Sequence, residues 1–552
     1  NRFMDAILYW NEVALEAVRV SHTNAKREQL GPVSSARALA IVHLAMYDAY
    51  AGVKGNPVAP VDLTAYLPAL PPPAAGADSA AAVAAAAHAT LSALYPSQKR
   101  FFDSKHAQAG LSGSGLKDGH AFGLLVAQRH LSERSTDPNT GDDGYAASQA
   151  RKAHREDPDN PVQGFYAPFY GANGRGFAIT TRFELDSPPD GPEYLDALRE
   201  VRAKGIAPQL IGTLPAGSAA RTTDETLAGL FWAYDGAEQI GTPPRLYNQI
   251  IHALAVHKMN DESQNARLFA LVNVALADAG LLAWDQKYIH DLWRPVVGIR
   301  EHDESQGPAG TPGTGVSADC DPEWLPFGAP RSNVIAPRNL TPNFPAYPSG
   351  HATFGAAAFH VARLFYGQGA AGPDTLLDGL SFVSDELNGL TTNNQGTRRP
   401  HHTRQFPGGL WQMIEENSRS RVWLGVHWLF DGFTAAPSGG IDLTRNIGGV
   451  PLGIKVAEDI YANGLKPSPV GPRAAKGTCH MPPVSKHTQA KTLRISVENL
   501  APAGGTILAP LWFGFHDGSF EGFRLGAPAS AALQRLAEDG NTGPLANSFL
   551  AA

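Results

Sequence analysis

Cysteine is nearly absent from this chain: two stand among 552 residues, Cys320 and Cys479. They allow at most one disulfide, and their spacing fits no metal motif. Positive charge is also in short supply. Lys and Arg number 45 against 52 Asp and Glu, a formal net charge of −7, which argues against nucleic acid as a general partner. No run of about 18 strongly apolar residues is apparent, so no transmembrane span is expected and the chain reads as soluble. The Ala-rich stretch 80–94 reads as a packed helix. No basic-then-apolar signal segment follows Asn1. The expected location, secreted or cell-envelope, therefore assumes a leader already removed.

What the chain does have is three short polar clusters in its second half. They are Lys287-x6-Arg294-Pro295, then Pro348-Ser349-Gly350-His351, then Ser420-Arg421-x5-His427-x3-Asp431. Together they supply cations, a hydroxyl, an amide beside a glycine and two histidines. That inventory suits a tetrahedral oxyanion, whereas a divalent metal would ask for carboxylates or thiolates. Lys287 and Arg294 fall in a stretch of helical pattern. Two turns apart, they would leave the same face about 10 Å from each other. A solvated charged face is the ordinary alternative for such a pair. Ser349 reads as the N-cap of an apolar helix, and Gly350 lets an anion approach the free amides of its first turn. His351 in that turn is placed where the helix dipole disfavours its protonated form, which suits a group that exchanges protons near neutral pH. His427 and Asp431 are four apart, so the carboxylate can hold one imidazole nitrogen and leave the other free. Beside Trp423 and Trp428, a lone histidine would otherwise read as core.

Taken together, the three clusters resemble the vanadium-dependent haloperoxidase and type 2 phosphatidic-acid phosphatase superfamily, whose shared pattern is met at every fixed position. Flanking segments such as Phe231-Trp232-Ala233-Tyr234-Asp235, Gly241-Thr242-Pro243-Pro244-Arg245 and Phe344-Pro345-Ala346-Tyr347 resemble the fungal-type vanadium chloroperoxidases over roughly residues 1–466. The resemblance implies a vanadate cofactor bound by Lys287, Arg294, Ser349, Gly350 and Arg421. His427 would be the one protein ligand to vanadium through Nε2, and His351 the acid–base group. Lys287 would also donate to bound peroxide. Asp235 would hold Arg421, Asp431 would support His427, and Trp284 and Phe344 would line the halide side. Phe344 stands where bromide-preferring algal relatives carry a histidine. The implied partners are hydrogen peroxide, halide ions and small organic acceptors. The pattern does not speak to oligomeric state.

Up to about residue 465 the chain reads as helices joined by Gly/Pro-rich loops, among them 3–21, 34–53, 77–95, 112–132, 263–300, 350–367, 375–388 and 407–435. The fold class is mainly α, and the resemblance implies two four-helix bundles with the cofactor in the second. The expected divisions are an N-terminal bundle at 1–200, the site-bearing bundle at 201–466, a linker at 467–491 and a short β-rich segment at 492–552. The last resembles the opening of a spondin-type domain. Asp137 to Gly144 reads as a turn, since it lacks the closing acid of a calcium loop. Two other functions share these features. A soluble acid phosphatase would use the same cage with His427 as nucleophile, and a non-catalytic anion-binding or adhesive protein would fit the spondin-like tail alone.

Overall fold

The computed structural model describes residues 5–473 except 56–60 and 143. Cys479, the β-rich segment and most of the expected linker lie outside the described residues. Among those described, the secondary structure is helical, with isolated β-bridges and no strand.

Fifteen α-helices follow one another among the described residues. The first five are α1 (Ala6–Ser21), α2 (Pro32–Lys54), α3 (Ser79–Leu94), α4 (Lys99–Ala107) and α5 (Leu116–Glu133). The short α6 (Tyr170–Asn173) precedes α7 (Gly191–Lys204), α8 (Thr223–Phe231), α9 (Pro243–His257) and the long α10 (Glu262–His290). Then come α11 (Pro295–Arg300), α12 (Gly350–Phe365), α13 (Gly409–Trp423), α14 (Leu429–Gly432) and α15 (Gly449–Asn463). Their starts are written in the sequence. Asp5, Asp78 and Ser349 accept first-turn amides, Thr222 and Asp261 build capping boxes with Glu225 and Gln264, and proline opens α2, α9 and α11.

Helices α1, α2, α3 and α5 pack as one group, and α10, α12, α13 and α15 as a second. Small residues let them close up. A Cβ on Gly123 would lie 2.1 Å from the Ala82 carbonyl oxygen of the Ala-rich α3, and one on Gly453 would lie 2.4 Å from that of Thr353 in α12. Helix α10 touches both groups through α2 and α12, and one continuous core runs through residues from each. Residues up to Pro472 form a single compact unit. Because α7 crosses residue 200 and packs on α11, α13 and α14, we propose that the division between the bundles lies ahead of Gly191.

Several sequence expectations change here. The helix expected over 263–300 stops at His290, where Asp291 takes a left-handed conformation (φ 48°). Pro295 then disfavours the α conformation at Arg294, which becomes the N-cap of α11. Lys287 and Arg294 therefore do not share a helical face. Likewise 407–435 is broken after Trp423 by Gly425 (φ 74°). The segment 375–388 contains only a 3₁₀ turn at Asp385–Leu387, while α4 and α7 form where no helix was expected. Finally, α10 is long and apolar enough to cross a membrane by length and composition, but its apolar window is wholly buried inside the protein.

Candidate oxyanion site

The breaks in those helices are what bring the three clusters together. Lys287 sits in the last turn of α10, Arg294 in the break before α11, Ser349 to His351 at the start of α12, Arg421 at the end of α13, and His427 in the loop before α14. All are buried, with Lys287 0 %, Arg294 1 % and Arg421 1 % exposed. Guanidinium and ammonium groups that deep need partners.

The partners are incomplete. Arg294 donates through Nε to the Phe344 carbonyl (2.8 Å) and through Nη1 to the Val426 carbonyl (2.8 Å) and His427 Nε2 (2.9 Å), but buried Nη2 has no partner. Arg421 makes a two-pronged pair with Asp235 at 3.1 and 2.7 Å, leaving buried Nε without one. Because a guanidinium only donates, His427 Nε2 is an acceptor and its proton lies on Nδ1, which donates to Asp431 Oδ2 at 2.7 Å. The Trp428 amide donates to the same oxygen at 3.0 Å. His427 thus presents a lone pair toward a cation-lined space.

Lys287 is placed differently. Its Nζ donates to the carbonyls of Pro345 (2.7 Å), Ala346 (3.2 Å) and Pro348 (2.6 Å), which takes up all three N–H bonds. Burial, then Arg294, pulls its pKa well below the ordinary lysine value, with Asp431 opposing. Three carbonyl acceptors are satisfied together only by the ammonium form. The Ser349 hydroxyl caps α12 by accepting weakly from the Ala352 amide at 3.4 Å, which leaves its own O–H free to donate. The Gly350 amide opens the helix without an intrahelical acceptor. His351 Nε2 lies 2.7 Å from the Ala233 carbonyl, so it carries the proton, and 4.0 Å from Asp235 Oδ1.

The electrostatics suit an anion. Burial and the neighbouring cations hold both His351 and His427 well below the usual histidine range. Burial lowers Arg294 to about 9 and raises Asp431 to about 7. The charged forms of Lys287 and Arg294 are thus disfavoured by their surroundings, and a bound oxyanion would reverse that. Two orphaned guanidinium nitrogens, a free hydroxyl and an open helix amide, together with an unprotonated imidazole nitrogen held by Arg294 Nη1, fit vanadate or phosphate. No group of three or more His, Cys, Asp or Glu side chains placed for a metal ion exists among the described residues.

Gly350, His351, Arg421 and His427 reach the wall of a cavity of about 610 Å³, together with Asp235, Trp284 and Phe344. Lys287, Arg294 and Ser349 adjoin these residues without lining the cavity themselves. The Trp284 and Phe344 rings meet at 4.8 Å between centroids, and both Lys287 Nζ (5.1 Å) and the Arg294 guanidinium (4.9 Å) lie over Phe344. Sequence reasoning passed over two neighbours. Tyr166 packs against both aromatics, and buried His154, pushed down by burial and then by Arg294 and Lys287, has neither ring nitrogen partnered. Neither belongs to a motif, so no spacing signalled them.

Comparison with known proteins bears on the chain as a whole. Residues 3–169 match the family model described as the vanadium chloroperoxidase N-terminal domain, and 267–451 the VCPO second helical-bundle domain. The chain is 33% identical to the vanadium chloroperoxidase of Curvularia inaequalis, covering 84% of this chain and 90% of that protein. Similar solved structures include a bacterial vanadium-dependent iodoperoxidase (TM-score 0.58, 19% identity, 83% of this chain and 96% of that one). A holo-type bacterial vanadium-dependent chloroperoxidase also matches (TM-score 0.51, 16% identity, 80% and 95%). At those identities the two structures speak to the fold.

Proposed function

This chain belongs to the vanadium chloroperoxidase family, and we propose that it oxidises halide with hydrogen peroxide to hypohalous acid, which halogenates small organic acceptors. The enzyme is a vanadium haloperoxidase with vanadate as cofactor. The observation that carries this reading is the unprotonated Nε2 of His427, backed by Asp431 and held by Arg294 Nη1, beside guanidinium nitrogens of Arg294 and Arg421 that have no partner.

When bound, vanadate supplies a Lewis-acid centre at which peroxide becomes electrophilic toward halide. The chain's own groups do the rest. His427 would hold the cofactor through Nε2 once Arg294 Nη1 gives up its hydrogen bond there, and Asp431 fixes the imidazole in the tautomer that leaves that atom unprotonated. Arg294 Nη2, Arg421 Nε, the Ser349 hydroxyl and the Gly350 amide bind its oxygens. Asp235 keeps the Arg421 guanidinium in plane, and preorganised donors of this kind commonly give the largest catalytic contribution. His351, kept neutral by burial and Arg421, moves protons at the cavity wall. The direct donation to peroxide expected of Lys287 needs one of its three carbonyl bonds to be given up, so its standing contribution is charge. Trp284 and Phe344 form the halide side, and a phenylalanine at 344 in place of histidine favours chloride among the candidate halides.

The same Nε2 could instead attack a phosphomonoester, as in the phosphatase alternative. Metal analysis after vanadate loading, with peroxide-dependent bromide and chloride oxidation and p-nitrophenyl phosphate hydrolysis in parallel, separates the two. Bound vanadium with halide oxidation supports the proposal. Phosphatase turnover without either would overturn it.

A further inference from the structure

The cavity is larger than halide and peroxide need. At about 610 Å³ it would hold roughly twenty waters, and it falls in the size range of sites for small organic molecules. Its wall also carries polar groups that the oxyanion cage does not use. Arg331 is half-buried. Its backbone amide donates to Asn339 Oδ1, but its guanidinium has no acid partner or hydrogen bond among the described residues. By contrast, Arg421 and Arg245 nearby are paired with Asp235 and Asp385. Thr242, 1 % exposed, leaves its hydroxyl without a partner, and the Gln163 side-chain nitrogen is buried without one; both line the same cavity. Exposed Glu238 also lines it and offsets only part of the charge of Arg331 and Arg27. The same cavity is lined by the rings of Tyr166, Trp284 and Phe344, which pack on one another with centroids 4.8 to 6.1 Å apart.

We propose that this outer chamber is a binding site for the organic acceptor, and that it takes a small aromatic acid whose carboxylate pairs with Arg331 while its ring packs on the aromatic trio. The inference rests on the haloperoxidase reading, which supplies the hypohalous acid. In the step that follows, a ring carbon–halogen bond forms as the O–halogen bond of hypohalous acid breaks. The displaced ring proton leaves, and the hydroxyl departs as water (ArH + HOX → ArX + H₂O). Holding the ring beside the cage puts the acceptor where hypohalous acid emerges, before it diffuses away.

The test uses the vanadate-loaded full chain and two phenols of similar ring electronics, 4-hydroxyphenylacetate and its neutral methyl ester. Bromination of the acid should saturate with a KM at least tenfold below that of the ester. Arg331→Gln should raise the acid's KM about tenfold or more, as expected for loss of a charge-assisted pair. The ester's KM should be unchanged, and Arg331→Lys should retain part of the preference. Calorimetric titration with unreactive benzoate should show the same loss in Arg331→Gln. Tribromide formation without acceptor reads the haloperoxidase activity alone and should be equal in all three proteins, so a failure there speaks against that activity while benzoate binding still judges the site. Equal KM values for acid and ester, or benzoate binding untouched in Arg331→Gln, would overturn the proposal.

Discussion

Two buried histidine–aspartate pairs, one inside the first helical group and one at α14 beside the second, look alike in a contact list and differ in what surrounds them. In the first group Asp48 of α2 receives His130 Nε2 of α5 at 2.8 Å and the amides of Tyr66 and Leu67 at 2.6 and 3.1 Å, so both carboxylate oxygens are engaged. In the second, Asp431 receives His427 Nδ1 and the Trp428 amide on one oxygen and has none on the other, while His427 Nε2 faces Arg294. Buried polar atoms are almost always satisfied in native proteins. A pair with its oxygens fully used fastens α2 and α5 to the segment at 66–67. A pair with an unused oxygen, an unprotonated nitrogen held only by Arg294 and two orphaned guanidinium nitrogens beside it is arranged to receive a ligand.

The comparison can be broken at several points. The largest effect is expected at His351, which has the cavity position for proton transfer without the ligand geometry of His427. His351→Ala should keep vanadate, by metal analysis, and lose about 10²–10⁴-fold in halide-oxidation turnover. Next, His130→Ala should do the reverse. It leaves Asp48 buried and short of a partner, which costs about 3–5 kcal/mol in denaturant unfolding, while vanadate affinity of the folded fraction stays at the parent value. Arg421→Ala frees Asp235 and removes the donor nitrogen, a loss of roughly 2–4 kcal/mol, so vanadate should bind at least tenfold more weakly in equilibrium dialysis.

The smallest effect is in protons. His351 is held below its ordinary pKa first by burial and then by Arg421, with the Ala233 carbonyl opposing and Arg294 adding, and Asp235 Oδ1 lies 4.0 Å away. A bound oxyanion raises that pKa. Binding therefore takes up protons, and vanadate affinity falls as pH rises, by at most about tenfold per pH unit for one proton. Calorimetry in buffers of different ionisation enthalpy should show uptake; proton release would contradict the assignment.

The residues of the site were legible in the sequence because their spacing survives any error in the helices between them. Lys287, Arg294, Ser349, Gly350, His351, Arg421 and His427 converge although two of the supporting helices were expected to run through their breaks. Periodicity cannot see those breaks. Residues 291–294 keep an apolar, helix-compatible pattern, and only the left-handed Asp291 and the restriction that Pro295 places on Arg294 interrupt it. The geometry of Lys287 was illegible for the same reason, since three loop carbonyls from 345, 346 and 348 fix its ammonium. Helices α4 and α7 were hidden by weaker signals. Charge outweighs apolar pattern in Lys99–Ala107, and α7 buries only a narrow stripe that includes Tyr194, Leu198 and Val201.

The most direct measurement is vanadium stoichiometry and affinity in His427→Ala beside the parent, by equilibrium dialysis with metal analysis. The parent should bind one vanadate per chain, and His427→Ala should bind none at concentrations that saturate the parent, with helicity unchanged and halide oxidation abolished. Wild-type stoichiometry and affinity in His427→Ala would contradict the claim that this unsatisfied pair is the cofactor's anchor.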